Sequence, residues 1–294
     1  MTAAGNVPLG IGLMITGTFM LTCQDAVSKW LIDGFHAGEI LFYRGLFAYL
    51  PIAVFAWRAG GLQALRSARP RANVLRALCN TAAGFTVISA YAFMPLADAM
   101  AILFASPILV TALSVPLLGE PVGPRRWAAV LVGFAGVLLI LEPSGGGLAW
   151  YLLLPIAGAV FVCFRDILTR KLGAVDGPTV ILFYTVTASV IGGAASMLVL
   201  GAHWPSPASW AVFAAMGLLN GVAHYLTIKA FSLASAVTLS PLRYLSLVWA
   251  GIIGYSVWGD VPAMHALLGA SLVVASGLYI FMRETRLRGL RTAR

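Results

Sequence analysis

Ten runs of about twenty mostly apolar residues divide this chain, and they leave few folds open. They cover roughly 8–31, 37–57, 73–94, 97–117, 124–142, 148–171, 177–200, 207–230, 235–257 and 262–282. About 20 such residues make a helix long enough to cross a hydrocarbon core of about 30 Å. In lipid, backbone amides must be bonded within their own segment, so each run is expected to be a helix. Turn-forming clusters separate the runs, among them Asp33-Gly34, Gly60-Gly61, Pro143 to Gly147, Asp176 to Pro178 and Gly259 to Pro262. The weakest break is Phe231 to Ala236, with neither Gly nor Pro, where a count of nine spans is the alternative. Only 10% of residues are charged. A soluble domain carries about 25%, so there is too little charge to coat one.

The chain also states one stretch twice. TCQDAVSKWLIDGFHAGEILFYR begins at Thr22, and VCFRDILTRKLGAVDGPTVILFYT begins at Val162. A shift of 141 lays Gln24 on Arg165, Asp25 on Asp166, Ser28 on Thr169 and Lys29 on Arg170. It also lays Ile40-Leu41-Phe42-Tyr43 on Ile181-Leu182-Phe183-Tyr184. The expectation is an all-α integral membrane protein of two five-helix repeats, 1–145 and 146–294. Five is odd, so the second repeat enters the membrane inverted. Transporters built this way hold substrate near the midplane where the repeats meet and expose it alternately to each side.

Orientation follows from Lys and Arg, which stay in the cytoplasm. Fifteen of the 19 basic residues fall at one set of loops and ends. These are the 57–76 loop, Arg125-Arg126, Arg170-Lys171, Lys229 and the basic tail from Arg283 to Arg294. Both termini are therefore expected in the cytoplasm, in a multi-pass protein of the inner (plasma) membrane. The net charge of +9 reflects that topology, helped by anionic lipid near 58–76, and needs no nucleic acid. No cleavable signal peptide is expected, since no basic residue precedes Pro8. Cys23, Cys79 and Cys163 all lie inside spans, an odd set that points to neither disulfides nor a metal.

Two stretches carry a family resemblance. PLADAMAILFASPILVTALSVPLLGEPVGPRRWAAVLVGFAGVLLI spans 95–140, and LASAVTLSPLRYLSLVWAGIIGYSVWGDVPAMHALLGASLVVASGLYI spans 233–280. Each is a span, a Gly-Glu or Gly-Asp turn, then a span rich in small residues. Gly119-Glu120 matches Gly259-Asp260 at a shift of 140. The chain resembles the drug/metabolite transporter superfamily in its ten-span EamA-type form, over nearly its whole length. Within that group it is most similar to the YddG-like amino-acid exporters. The resemblance implies ten helices in inverted repeats and a central cavity lined mainly by spans one, three, four, six, eight and nine. It also implies export of small metabolites such as amino acids, by a protein that acts as a monomer in the bilayer.

Ionisable groups inside spans are costly and mark candidate functional positions. Asp25 and Lys29 stand one turn apart, as do Asp166 and Arg170. They read either as helix-end anchors or as ion pairs that gate the two faces. Arg44 has Asp25 or Glu39 as candidate partner. Arg243 follows Pro241 and reads either as a grip on a substrate carboxylate or as a partner of Asp166. Asn220 and His224 share a face of span eight, beside the close-contact spacing Gly217-x-x-x-Gly221. They read as an interhelical hydrogen bond or as pocket lining. His36, His203 and His265 read as exposed. Asn80 and Gly84 on span three, Met100 and Phe104 on span four, and Tyr244 on span nine complete the candidate substrate site. Pro107 and Pro241 are expected to kink their helices. The stretch Gln63 to Arg69 looks like a short surface helix.

No span has a carboxylate at its midpoint, which favours a facilitator over proton antiport. Multidrug or cation efflux by proton antiport is the alternative, with His224 as the group that titrates near neutral pH. There is no phosphate-binding loop of the G-x-x-x-x-G-K-[ST] type. No convergent nucleophile and base, no metal set and no cofactor motif is present, so an enzyme is not expected.

Overall fold

The computed structural model describes residues 7–106, 108–110, 113, 124–141, 149–172, 175–233 and 239–292. Among the described residues ten α-helices are delimited: α1 (Val7–Leu31), α2 (Ala37–Arg58), α3 (Pro70–Ala90), α4 (Leu96–Leu103), α5 (Pro124–Leu141), α6 (Leu153–Leu172), α7 (Pro178–Leu200), α8 (Pro207–Leu233), α9 (Leu245–Trp258) and α10 (Met264–Thr292). Short 3-10 turns occupy Gly61–Leu65, Trp150–Leu152 and Ser240–Tyr244. Among the described residues there is no strand. Val7–Leu31, Ala37–Arg58, Trp150–Thr169 and Thr179–Leu200 are long and apolar enough to cross a membrane by length and composition. Leu96–Val110, Trp127–Ile140 and Met264–Tyr279 are shorter apolar helical stretches.

Local chemistry sets the helix ends. Pro70 and Pro178 open α3 and α7, where a missing amide proton costs nothing. His36 caps α2: its ring accepts from the Glu39 amide while the Glu39 carboxylate accepts from the His36 amide. Gly259 closes α9 at φ +70°, a left-handed conformation that glycine adopts freely.

Three expectations are corrected here. The ninth span is not one continuous α-helix: Leu239 is helical, Ser240–Tyr244 forms a 3-10 turn with Pro241 in its first turn, and α9 runs on from Leu245. Residues 63–69 are not a helix of their own. The turn ends at Leu65, and Ser67 and Ala68 are engaged by Asp176. His36 is a helix cap, not an exposed bystander. Pro107 lies outside the described residues, as does most of the break between α8 and the following turn.

Packing brings distant helices together. α1 lies on α8, α2 on both α7 and α8, α3 on both α6 and α7, and α5 on α10, while α9 touches α1 and α4 and α4 touches α6. The main apolar core joins Ile40, Leu41 and Tyr43 of α2 to Val87 and Tyr91, to Leu96 and Met100, and to Phe213 and Met216 of α8. Small residues let α2 and α8 approach closely. A Cβ on Gly217 would lie 2.5 Å from the Arg44 carbonyl oxygen, and Gly221 faces the ring of Pro51. That is the close helix contact expected of the Gly217-x-x-x-Gly221 spacing.

Two carboxylates clasp the connections. Glu39, fully buried at 0% exposure, accepts from the backbone amide of His203 in the α7–α8 connection. At the opposite end of the bundle Asp176, 7% exposed, accepts from the Ser67 hydroxyl, the Ala68 amide and the Asn73 side-chain amide. Burial alone would raise the Asp176 pKa, but these donors outweigh it and hold the carboxyl below its usual range.

Candidate substrate site

A small cavity opens between α2, α3, α7 and α8. Arg44, Asn80, Thr185, Ser189, Asn220 and His224 give it its polar lining, with Leu41, Leu182 and Val186 as apolar neighbours. Asn80, Arg44, Asn220 and His224, chosen from the sequence, thus meet at one place. The reason is geometric. Each is a polar residue within a mostly apolar stretch of its helix, and pairing those helices turns the polar faces toward one another instead of toward lipid. Asn220 and His224 lie at i, i+4 and share a face.

Each asparagine is held by a neighbouring helix. Asn220 Nδ2 donates to Gln24 Oε1 of α1 at 2.6 Å. Arg165 Nη1 of α6 donates to Asn80 Oδ1 at 3.3 Å. Neither Gln24 nor Arg165 stands out from sequence as a site residue, although the repeat aligns the two with each other. Thr81 and Ser189 hydroxyls meet at 3.2 Å beside the cavity.

The expected ion pairs within helices give way to pairs between elements. Lys29 does not pair with Asp25. Its Nζ lies 2.8 Å from Asp260 Oδ2, in the α9–α10 connection, and 4.8 Å from the centre of the Trp258 ring. A lysine at a helix end reaches outward, which takes it from Asp25 to the next connection. Asp25 lies within electrostatic reach of Arg44, one of the two partners expected for that arginine. Glu39, the other, is committed to His36 and His203.

Asp166 pairs with its neighbour Arg165, 2.8 Å away, while the expected partner Arg170 has its side chain outside the described residues. Arg243 and Arg76 also lie within electrostatic reach of Asp166. Arg76 further donates to Thr169 Oγ1 and Thr185 Oγ1, both at 2.7 Å.

The remaining candidates gather elsewhere. Phe104 packs on Tyr244 with ring centres 5.1 Å apart. The Tyr244 hydroxyl lies against Gly277 of α10. Met100 is buried in the core, its sulfur 3.7 Å from the Tyr91 hydroxyl. Gly84 faces Leu41. Met100, Phe104, Tyr244 and Gly84 therefore build the walls between helices and do not line the polar cavity. Among the described residues no group of three or more His, Cys, Asp or Glu side chains is placed to hold a metal.

Residues 8–142 match the model of the EamA-like transporter family. A riboflavin transporter of Rhizobium johnstonii is 30% identical, covering 93% of this chain and 91% of that one. An S-adenosylmethionine uptake transporter of Rickettsia bellii is 26% identical over 95% of both chains. A pseudopaline exporter of Pseudomonas aeruginosa is 26% identical over 91% of this chain and 94% of its own. A solved crystal structure, 18% identical, superposes with a TM-score of 0.66 over 95% of this chain and 98% of that one, a likeness of fold.

Proposed function

From the premise that the chain belongs to the EamA-like transporter family and is a multi-pass membrane transporter, we propose that it carries a small zwitterionic metabolite, an amino acid foremost, by alternating access. The relatives' names give three cargoes and both directions, one uptake transporter and one exporter among them. Cargo must therefore be argued from the site. The observation that carries the reading is the polar cavity where Asn80, Asn220, Arg44 and His224 meet inside an apolar bundle. Amides satisfy both ends of a zwitterion, a guanidinium suits its carboxylate, and the small volume excludes bulky lipophilic cations.

Two repeats, 1–145 and 146–294, related by inversion account for the packing. Exchanging them turns the α1–α8 contact into α6–α3, and α2–α8 into α7–α3, and all four contacts are present. Gln24–Asn220 and Arg165–Asn80 exchange likewise. Lys29–Asp260 closes one face. The arginine-bearing loops put both termini in the cytoplasm. Transport is facilitated, so a metabolite made in the cell leaves down its gradient, and a monomer suffices.

Counterflow in proteoliposomes tests this. Saturable exchange of amino acids without a pH gradient is expected. Flux that requires the gradient would replace the facilitator with a proton-coupled carrier. Flux of lipophilic cations alone would replace the cargo.

A further inference from the structure

We propose that Arg76, Arg165 and Arg243 together seat the carboxylate of the transported metabolite on the α3–α6 side of the cavity. This rests on the carrier reading above and adds to it which end of the substrate goes where.

The argument begins with a break in the repeat. Gln24 and Arg165 occupy equivalent places, and each holds an asparagine that lines the cavity. One is neutral and the other carries a guanidinium, so the two sides of the cavity differ in charge. On the α1–α8 side Arg44 lies within electrostatic reach of Asp25. On the α3–α6 side three guanidiniums, Arg165, Arg243 and Arg76, lie within electrostatic reach of one described carboxylate, Asp166. Arg76 is hydrogen-bonded to the hydroxyls of Thr169 and Thr185, which orient it without neutralising it. Thr185 and Asn80, which accept from Arg76 and Arg165, both line the cavity, so the cluster borders it directly. Arg243 is exposed and stands at the turn before α9.

Among the described residues Asp166 balances only one of the half-buried guanidiniums Arg76 and Arg165, and positive charge left over inside an apolar bundle is costly unless something anionic completes it. Guanidiniums bind a carboxylate or phosphate in the bidentate geometry that a lone ammonium lacks. The substrate's carboxylate is the completing group, and its other end meets the Gln24–Asn220 side. The same chemistry would accept an anionic lipid headgroup, which the test separates.

The test compares a carboxylate metabolite with its amide in counterflow, using phosphatidylcholine vesicles. Arg165→Gln is a mild change, since the other repeat carries Gln24 in that place. It should raise KM for the carboxylate about tenfold or more while leaving the amide unchanged. Arg243→Gln, at an exposed position, should do the same and keeps the test valid if Arg165→Gln folds poorly. Equal effects on both substrates in both variants, or none, overturn the seat. Inhibition of wild type by added phosphatidylglycerol that is absent in Arg243→Gln gives the site to a lipid and also overturns it. If wild type moves no metabolite, the carrier reading fails separately. A melt of the purified protein then decides the seat: inorganic phosphate, against chloride at equal ionic strength, should stabilise wild type more than Arg243→Gln. Equal stabilisation overturns the seat.

Discussion

Asp25 and Arg44 sit half-buried on consecutive helices, within electrostatic reach of one another. Each charge makes the other more tolerable inside an apolar bundle. Removing one of the two leaves a charge without compensation, whereas removing both costs less. Asp25→Asn should therefore lower the melting temperature of the purified protein sharply, and Asp25→Asn with Arg44→Gln should recover most of it. Equal losses in the single and double variants would deny the pairing. The sequence showed that these residues mattered but misassigned a partner. An i, i+4 spacing suggested Lys29 for Asp25, yet Lys29 reaches Asp260, 231 residues away. Asn80, Asn220 and His224 were legible because a polar group in a mostly apolar stretch of helix has few other uses. Gln24 and Arg165 were not, since each stands beside an aspartate that drew the attention.

At the scale of elements, connections are tied by side chains from other helices. Asp176 gathers Ser67, Ala68 and Asn73 at the start of α3, serving as a cap supplied from a distant segment. Its folded pKa lies below the unfolded value, so it stabilises the fold fully above that unfolded value, near about 3.9. The contribution is lost as pH falls through the folded value. Asp176→Asn should cost about 1.5–3 kcal/mol at neutral pH, the worth of hydrogen bonds to a charged group. The difference in melting temperature between wild type and this variant should hold from about pH 7 to pH 5 and shrink below about pH 4. A difference that grows in acid would reverse the assignment. Helix contact offers a second test. Gly217 presses against α2, whereas nothing lies within 4 Å of a Cβ built on Gly251. Gly217→Ala should destabilise the protein and disturb Arg44, while Gly251→Ala should not. The helices themselves were legible from apolar runs and turn clusters. Pro241 marked the break in the ninth span, but hydropathy does not show that the break takes the form of a 3-10 turn over Ser240–Tyr244.

Taken whole, the bundle is tied at both ends by side chains that bridge segments far apart in sequence. Lys29–Asp260 and Glu39–His203 lie at one end, and the Asp176 cluster lies at the other. These ties differ in strength. Glu39 is fully buried, whereas the side chains of Lys29 and Asp260 are 11% and 26% exposed. A partly solvated ion pair contributes about 0–1 kcal/mol, small enough to open and close in each cycle. The buried clasps are too costly to break at that rate. Lys29–Asp260 is then the tie that must part when this end opens, and Glu39 is part of the frame that stays. Lys29→Glu sets two carboxylates against each other and should hold this end open. Counterflow needs both states, so its rate should fall about tenfold or more, while substrate still raises the melting temperature of the purified variant. The charge swap Lys29→Glu with Asp260→Lys restores attraction and should restore exchange. Exchange that survives the single variant, or that the swap fails to recover, would show that the pair anchors helix ends and does not gate.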